Sequence, residues 1–585
     1  MPTSHRNIHT KMNAPTTIPD STLLIQTIPQ LIHLQTTHQI TAVQILQCYL
    51  RRAHTVHQAT NCFTCFVPEA LQEAAKCDQW LLQTGQVIGN LHGIPCTIKD
   101  HYAMKNLPIT MGLKSLLHKT TTKPPKHDCV VVLALRKAGA VPFAKTNMTQ
   151  QGDTWGGGNP AFGDTLNPWN TLRTSGGSSS GEGAIVGGSG SCFGIGSDVG
   201  GSVRIPASFC GTFGFKPTAN RFSFAWDDGR TIVGHENGIQ ATGGILTNTV
   251  TNLIEILKAC WSKNSPMFEI DVRIPPLLFN AAIIRNTKKL TIGYTTNGYA
   301  HPANPCPSMQ RVLLQSVAVL QKMGHTLVKF DPNKEAVQWT EMHPVVLGLY
   351  GIGIENQRNY VENSTTVPTT KDGSYGSTSI SKLNDNQDRE DIHPDLAANF
   401  NNTSVVLKNS LLPVARSTTE VNAIIALRDR HRDVMNRTMR EKEIDLMLCP
   451  AWSYPAPPVE EVRHLVHSIW TTQVFNYLDM PCGVVPMGVV EKEDLKIEWE
   501  LLENDCDMTK KYRDSLLRSR VGSVGLPLSV QMVGLPWREE VVLKGMLELE
   551  MGMGEKNCVF DVESLVARRS KVMGGRPERV NVSKM

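Results

Sequence analysis

The chain reads as an α/β protein. Strand-like and helix-like segments alternate along it, and the alternation recurs in a second region. Strand–helix–strand order implies parallel pairing with helices laid over a sheet. The first unit begins with the apolar run Ile94 to Ile98, which predicts a buried strand. Asp128 to Lys137 predicts a helix through Val130, Val131, Leu133 and Leu135, and Gly139-Ala140 leads into a strand from Val141 to Ala144.

The next elements are Ala184-Ile185-Val186, which opens like a helix, and Cys192 to Gly196, which alternates like a buried strand. Leu290 to Tyr294 is strand-like. Ser308 can cap a helix whose apolar face is Met309, Leu313, Val317 and Leu320. Gly324 can end that helix, and Thr326 to Phe330 returns as a strand. Val361 to Asn409 breaks the pattern. It is dense in Ser, Thr, Asn, Asp and Gly, and predicts a polar surface insertion at about 361–409. Helical signals resume near Thr418, a strand-like Ile444 to Leu448 follows, and Pro450 to Pro458 makes a proline-rich turn. There is neither an internal repeat nor a clear linker.

At 585 residues the chain can bury a large core, and length alone would allow several domains. Its 41% hydrophobic and 19% charged residues are ordinary for a globular protein. A net charge of +5 without a dense basic block gives no reason to expect nucleic-acid binding. With no apolar run of about 18 residues, no transmembrane helix is expected.

Residues 1–20 lack the apolar core of a secretory signal. They carry Arg6, Lys11 and no acid before Asp20, which fits either a transit peptide or a disordered tail; the tail is the expectation. The domain is then placed at 21–555, with a second tail at 556–585. That tail ends Ser583-Lys584-Met585, which resembles the Ser-Lys-Leu peroxisomal address; a chance match is the competing reading. The expected location is cytoplasmic, with peroxisomal or peripheral-membrane placement as alternatives. The 14 cysteines include a single Cys-x-x-Cys, Cys62 and Cys65. A zinc site wants a second such pair, so reduced, mostly buried thiols are expected and no metal.

The chemistry concentrates in three segments. Lys99 follows the apolar run Ile94 to Ile98, so it is either a charge at a strand end or a partly buried base. Burial disfavours the ammonium, and a neutral amine can take a proton from a hydroxyl. Gly176-Gly177-Ser178-Ser179-Ser180-Gly181 has the composition of a flexible linker, but it runs straight into core elements, which a linker does not. Gly177, Ser179 and Gly181 also match the Gly-x-Ser-x-Gly nucleophile elbow, which needs a preceding strand; Asn167 to Arg173 contains Pro168 and reads as loop.

Ser202 follows Gly200-Gly201, 24 residues after Ser178. It is either an incidental serine on a structural turn or a presented nucleophile. In the second case the N–H groups of Val199, Gly200, Gly201 and Ser202 could face an oxyanion, with Asp198 and Arg204 pairing to stiffen the turn.

Taken together, these residues resemble the amidase signature family. The resemblance rests on Gly176 to Gly181, Gly196 to Ser208, Phe209 to Thr218 and Val524 to Gly534, and runs from about residue 40 to 550. Within it the chain looks most like the fatty-acid amide hydrolases, through Thr60-Asn61-Cys62, Asp128 to Val132, Asn159 to Trp169, Gly181-Glu182-Gly183 and Tyr477 to Pro486. The resemblance implies a single large α/β/α domain with a mixed, mostly parallel sheet. It implies Ser202 as nucleophile, Ser178 as proton relay on a cis Gly177–Ser178 peptide, Lys99 as neutral base, an oxyanion hole at Val199 to Ser202, and no cofactor.

The expected substrate is a lipid amide, an N-acylethanolamine or a primary fatty amide. Alternatives are a general small-molecule or aryl amidase, an amidotransferase subunit acting on glutamine for a tRNA-bound substrate, and a retired scaffold; the intact Lys99, Ser178 and Ser202 set argues against the last. A homodimer is among the expected partners, and membrane association is left open. The sequence departs from the resemblance at Ser180, where glycine is common, and at Gly152-Asp153, where the mammalian-type relatives carry apolar residues near the acyl channel. It departs again in the polar insertion at 361–409, which lies where those relatives carry an apolar membrane-docking hairpin.

Overall fold

The described residues build one eleven-stranded sheet in order β1-β3-β2-β4-β6-β5-β10-β11-β9-β7-β8. The strands are β1 (Phe63–Phe66), β2 (Pro95–Lys99), β3 (Val141–Thr146), β4 (Phe193–Asp198), β5 (Phe213–Lys216), β6 (Thr242–Thr247), β7 (Thr291–Tyr294), β8 (Thr326–Lys329), β9 (Leu446–Pro450), β10 (Cys482–Val489) and β11 (Pro527–Gly534). This is a computed structural model. It describes residues 18–225, 238–297, 304–349, 393–395, 417–499, 501 and 507–554. The expected N-terminal tail lies outside these residues up to residue 17, as do all but 393–395 of the polar insertion and the C-terminal residues from 555 on.

The α/β architecture with one mixed sheet is as expected, but "mostly parallel" is corrected. Parallel pairs are β2 with β3, β2 with β4, β7 with β8 and β7 with β9. The other six neighbouring pairs are antiparallel. The strand–helix–strand units visible in the sequence account for both parallel groups. The strands between them, β6, β5, β10 and β11, return in antiparallel order, which periodicity alone does not reveal.

Helix signals translate closely. Val130–Lys137 forms and buries Val130, Val131 and Leu135. The Pro307–Lys322 helix buries Met309, Leu313, Val317 and Leu320 as expected, but its cap is Cys306 rather than Ser308. Pro307 takes the first helical position, where its missing N–H costs nothing. Gly324 follows the helix at φ +90°. Thr418–Glu441 is closed by a capping box in which Ser417 and Glu420 exchange hydrogen bonds.

The apolar core runs from Leu23 to Met553 along the sheet, with a second cluster around Phe330, Ile424, Phe475 and Val533. β2 and β3 are buried along their whole length, as interior strands covered on both faces are. The twelve described cysteines are free, and all but Cys65 are buried. Among the described residues no helix is long and apolar enough to cross a membrane.

Candidate active site

Lys99 is the last residue of β2, an interior strand flanked by β3 and β4, so its side chain ends inside the protein at 0% exposure. Its Nζ lies 2.8 Å from Ser178 Oγ and 3.0 Å from Ser197 Oγ. Both partners are neutral hydroxyls. Removal from water disfavours the ammonium and lowers the Lys99 pKa to about 7, so much of the amine is neutral near physiological pH. Lys99 is therefore a buried amine rather than an exposed charge at a strand end.

Ser178 is presented by backbone that tolerates no side chain before it. A Cβ on Gly177 would come within 2.5 Å of Gly156 O and 2.7 Å of Thr149 Cγ2. The Gly177–Ser178 peptide is cis, as the resemblance implied. Ser179 caps the Ser180–Gly187 helix without a side-chain capping bond. Its Oγ donates to Ser197 O at 3.3 Å, and it is fully buried. No strand precedes it, so the elbow reading of Ser179 has no structural support. Ser180 fits without displacement, donating to Asn147 O at 3.3 Å. Gly152 packs against Ser178, since a Cβ there would sit 3.4 Å from Ser178 Oγ. Beside it, burial pushes the Asp153 carboxyl up to about 7.

The second serine lies in the turn between β4 and the Arg204–Cys210 helix. Ser202 O accepts from Ser179 N at 3.1 Å, which joins the two serine loops. Ser202 Oγ makes no hydrogen bond among the described residues, and the residue is 7% exposed. Asp198 at the end of β4 organises the turn. It accepts from Gly201 N at 2.8 Å and Val203 N at 3.1 Å, and from Asn476 Nδ2 at 2.9 Å. Burial by itself would push this carboxyl up, but the Arg204 charge and hydrogen bonds hold it well below the usual carboxylate range.

The engagement of Gly201 changes one expectation. Its N–H is aimed at Asp198 rather than at a vacant oxyanion position, whereas Gly200 and Ser202 keep N–H groups with no acceptor among the described residues. Gly201 matters through its conformation. It sits at φ +125°, and a Cβ there would run into Thr472 Oγ1, which donates to Gly200 O at 2.6 Å.

Motif reading gave several of these residues no role. Ser197 accepts from Lys99 Nζ on the strand it shares with Asp198, and it lay inside the Gly196-to-Ser208 stretch without being singled out. Thr472 and Asn476 come from the Trp470–Tyr477 helix, some 270 residues away in sequence, and nothing local marks them. Asp100, next to Lys99, is buried and accepts from Thr110 N and Oγ1 at 2.8 Å and from Met111 N at 2.7 Å. It pins the loop after β2.

The chain matches the Amidase family over residues 44–543. It is 31% identical over 520 residues to fatty acid amide hydrolase 1 of Caenorhabditis elegans, covering 88% of this chain and 86% of that protein. It is 31% identical over 542 residues to fatty-acid amide hydrolase 1 of Sus scrofa, covering 90% and 86%. A solved fatty acid amide hydrolase superposes with a TM-score of 0.74 at 24% identity, covering 93% of this chain and 87% of that one, a likeness of fold.

Proposed function

We propose, from the premise that this chain belongs to the amidase signature family and hydrolyses carboxylic amide C–N bonds, that its substrates are fatty-acid amides cleaved by Ser202, Ser178 and Lys99. The observation that carries the mechanism is the 2.8 Å contact between a fully buried Lys99 amine and Ser178 Oγ. Neutral Lys99 takes the Ser178 proton while Ser178 takes that of Ser202. Ser202 Oγ then attacks the amide carbonyl. Charge on the carbonyl oxygen is met by backbone N–H groups of the Val199 to Ser202 turn, with Gly200 and Ser202 as the principal donors. The proton returns through Ser178 to the leaving nitrogen, the C–N bond breaks, and water releases the acid from the acyl-enzyme.

The lipid assignment rests on the similarity to two fatty-acid amide hydrolases along most of the chain. A second reading, a general amidase for smaller or more polar amides, is favoured by Gly152, which packs against Ser178, and by the buried carboxyl of Asp153 that follows it in the chain. A homodimer and docking to a membrane surface belong to the lipid reading. The peroxisomal alternative rests on Ser583-Lys584-Met585, outside the described residues.

Hydrolysis of a long-chain N-acylethanolamine by the purified protein, with Ser202→Ala as the paired control, tests the proposal. Turnover that disappears in the variant is the expected result. Ser202 labelled by a fluorophosphonate without turnover of any long-chain amide would retain the nucleophile and replace the lipid reading by the general one.

A further inference from the structure

Glu182 is a carboxyl with no place in the reaction described above, and it lies fully buried in the first turn of the helix that follows Ser178. Its two oxygens touch hydroxyls from two strands. Thr97 Oγ1 on β2 is 2.5 Å from Oε2, and Thr146 Oγ1 on β3 is 2.9 Å from Oε1. No cation is hydrogen-bonded to it among the described residues. Room for it is made by Gly194 on β4, where any Cβ would collide with Oε2. Thr97 stands two residues before Lys99, hence on the same face of β2.

The hydroxyl contacts accommodate a protonated carboxyl. Ser191 Oγ donates to Phe193 O at 2.7 Å, so Thr97 Oγ1 can pass its one hydrogen to Ser191 Oγ at 3.3 Å and accept one from Glu182 Oε2 at 2.5 Å. With a carboxylate, Thr97 donates to Oε2 instead and the 3.3 Å contact carries no hydrogen. Full burial with no cation hydrogen-bonded to it favours the first arrangement. Thr146 fills Oε1 with its own hydroxyl hydrogen.

We propose that Glu182 is a positioning residue for the Lys99 base: a carboxylic acid, not a carboxylate, that ties β2 and β3 to the Ser178 helix while placing no anion beside the amine. Burial acts in the same direction, pushing the Glu182 carboxyl up to about 8. The titratable groups that interact with it are Lys99, the Cys96 thiol and the Tyr102 phenol, and burial keeps the last two protonated. An ionised Glu182 would add to the Asp198 carboxylate in favouring the Lys99 ammonium and shift its titration upward; the neutral acid leaves Asp198 as the anion that acts on Lys99. This inference rests on Lys99 acting as the base.

Two measurements on the full chain test it. The first is the infrared spectrum of the wild-type protein at pH 7 against Glu182→Gln. A protonated-carboxyl carbonyl band lost in the variant is expected, and a wild-type spectrum without that band overturns the proposal regardless of substrate. The second is the pH profile of kcat/KM for any amide turned over. Glu182→Gln replaces one neutral group by another and donates to Thr97 in its place, so its acid-limb midpoint should stay within about 0.3 pH units of wild type, with kcat within about threefold. Glu182→Ala should lose kcat by about tenfold or more.

A midpoint falling by about one unit in Glu182→Gln would show that an anion had been removed, and would overturn the proposal. Full activity in Glu182→Ala would do so as well. Should Lys99 not be the base, the wild-type acid limb itself would be missing while the infrared band stood unchanged.

Discussion

Arg204 grips Asp198 with two donors, Nη2 on Oδ1 at 2.9 Å and Nε on Oδ2 at 3.0 Å, and both side chains are at 0% exposure. The same guanidinium reaches Asn476 Oδ1 at 2.5 Å and Thr472 O at 2.8 Å. Removing one partner leaves the other charge buried and unmatched. Arg204→Met should therefore destabilise the protein by about 3–5 kcal/mol. Urea denaturation measures this, and a loss below about 1 kcal/mol would mean that the pair contributes little beyond its exposed counterparts.

In the proposed mechanism Lys99 sets the acid side of the activity profile. The neutral amine is then the reactive form, so kcat/KM should rise with pH through about 7 and level above it. In Lys99→Ala the rise should vanish and kcat should fall by about 10²–10⁴-fold. A variant that keeps the same acid limb would assign that limb to another group.

Stability should also rise with pH, over a higher range. The folded pKa of about 7 lies below the ordinary lysine value of 10.5, so between these values the unfolded chain holds the additional proton. Folding is penalised most below pH 7, and stability from this group increases as pH rises towards 10.5. Lys99→Met should therefore be more stable than wild type at pH 7, on the order of a few kcal/mol, and the gap should close at alkaline pH. Thermal denaturation at pH 7 and pH 10 compares the two; equal melting temperatures at pH 7 would contradict the buried-amine account.

The turn around Gly201 depends on a helix remote in sequence. Gly201→Ala must move Thr472 and also strains a residue at φ +125°. Its kcat should drop by about 10²-fold, with a far smaller change in KM. Thr472→Val, which loses the hydrogen bond to Gly200 O, should reproduce part of that loss. Steady-state kinetics on one amide separates kcat from KM. Wild-type kcat in Gly201→Ala would rule out this turn as the source of oxyanion contacts.

The lipid reading has a test at Asp153. Burial pushes this carboxyl up to about 7 beside Gly152, which packs against Ser178, and a buried carboxyl would oppose an apolar acyl chain running past it. Asp153→Leu should raise kcat/KM for a long-chain amide by about tenfold and leave a short amide within about twofold. Parallel assays of the two chain lengths decide it, and equal effects on both would place Asp153 away from the acyl path.

Local chemistry in the chain marks the residues to which the reaction is assigned more readily than those that hold them. Lys99 stood out because an apolar strand ends on it, and Ser178 and Ser202 because glycines crowd around them, while their roles came from the family resemblance. The parallel groups β2-β3-β4 and β7-β8-β9 were legible through their helical connections, whereas the antiparallel middle of the sheet was not. Thr472, Asn476 and Gln531 reach the Asp198 turn from beyond residue 470, and spacing along the chain carries no trace of such contacts. Glu182 was quoted as part of a motif, but its role depends on Thr97 and Thr146, whose hydroxyls meet it only in the folded sheet.

That dependence on distant chain has a consequence for biosynthesis. Lys99, Ser178 and Ser202 are synthesised well before Thr472, Asn476 and β10. Until those follow, Arg204 lacks two of its acceptors, and β5 lacks its sheet neighbour. A nascent chain shorter than 470 residues therefore holds Ser202 in a turn without the partners that fix it in the fold. Ribosome-bound chains stalled before residue 470 should escape labelling by a fluorophosphonate that marks the finished enzyme, so hydrolytic power arrives as a late event of synthesis rather than accumulating with length.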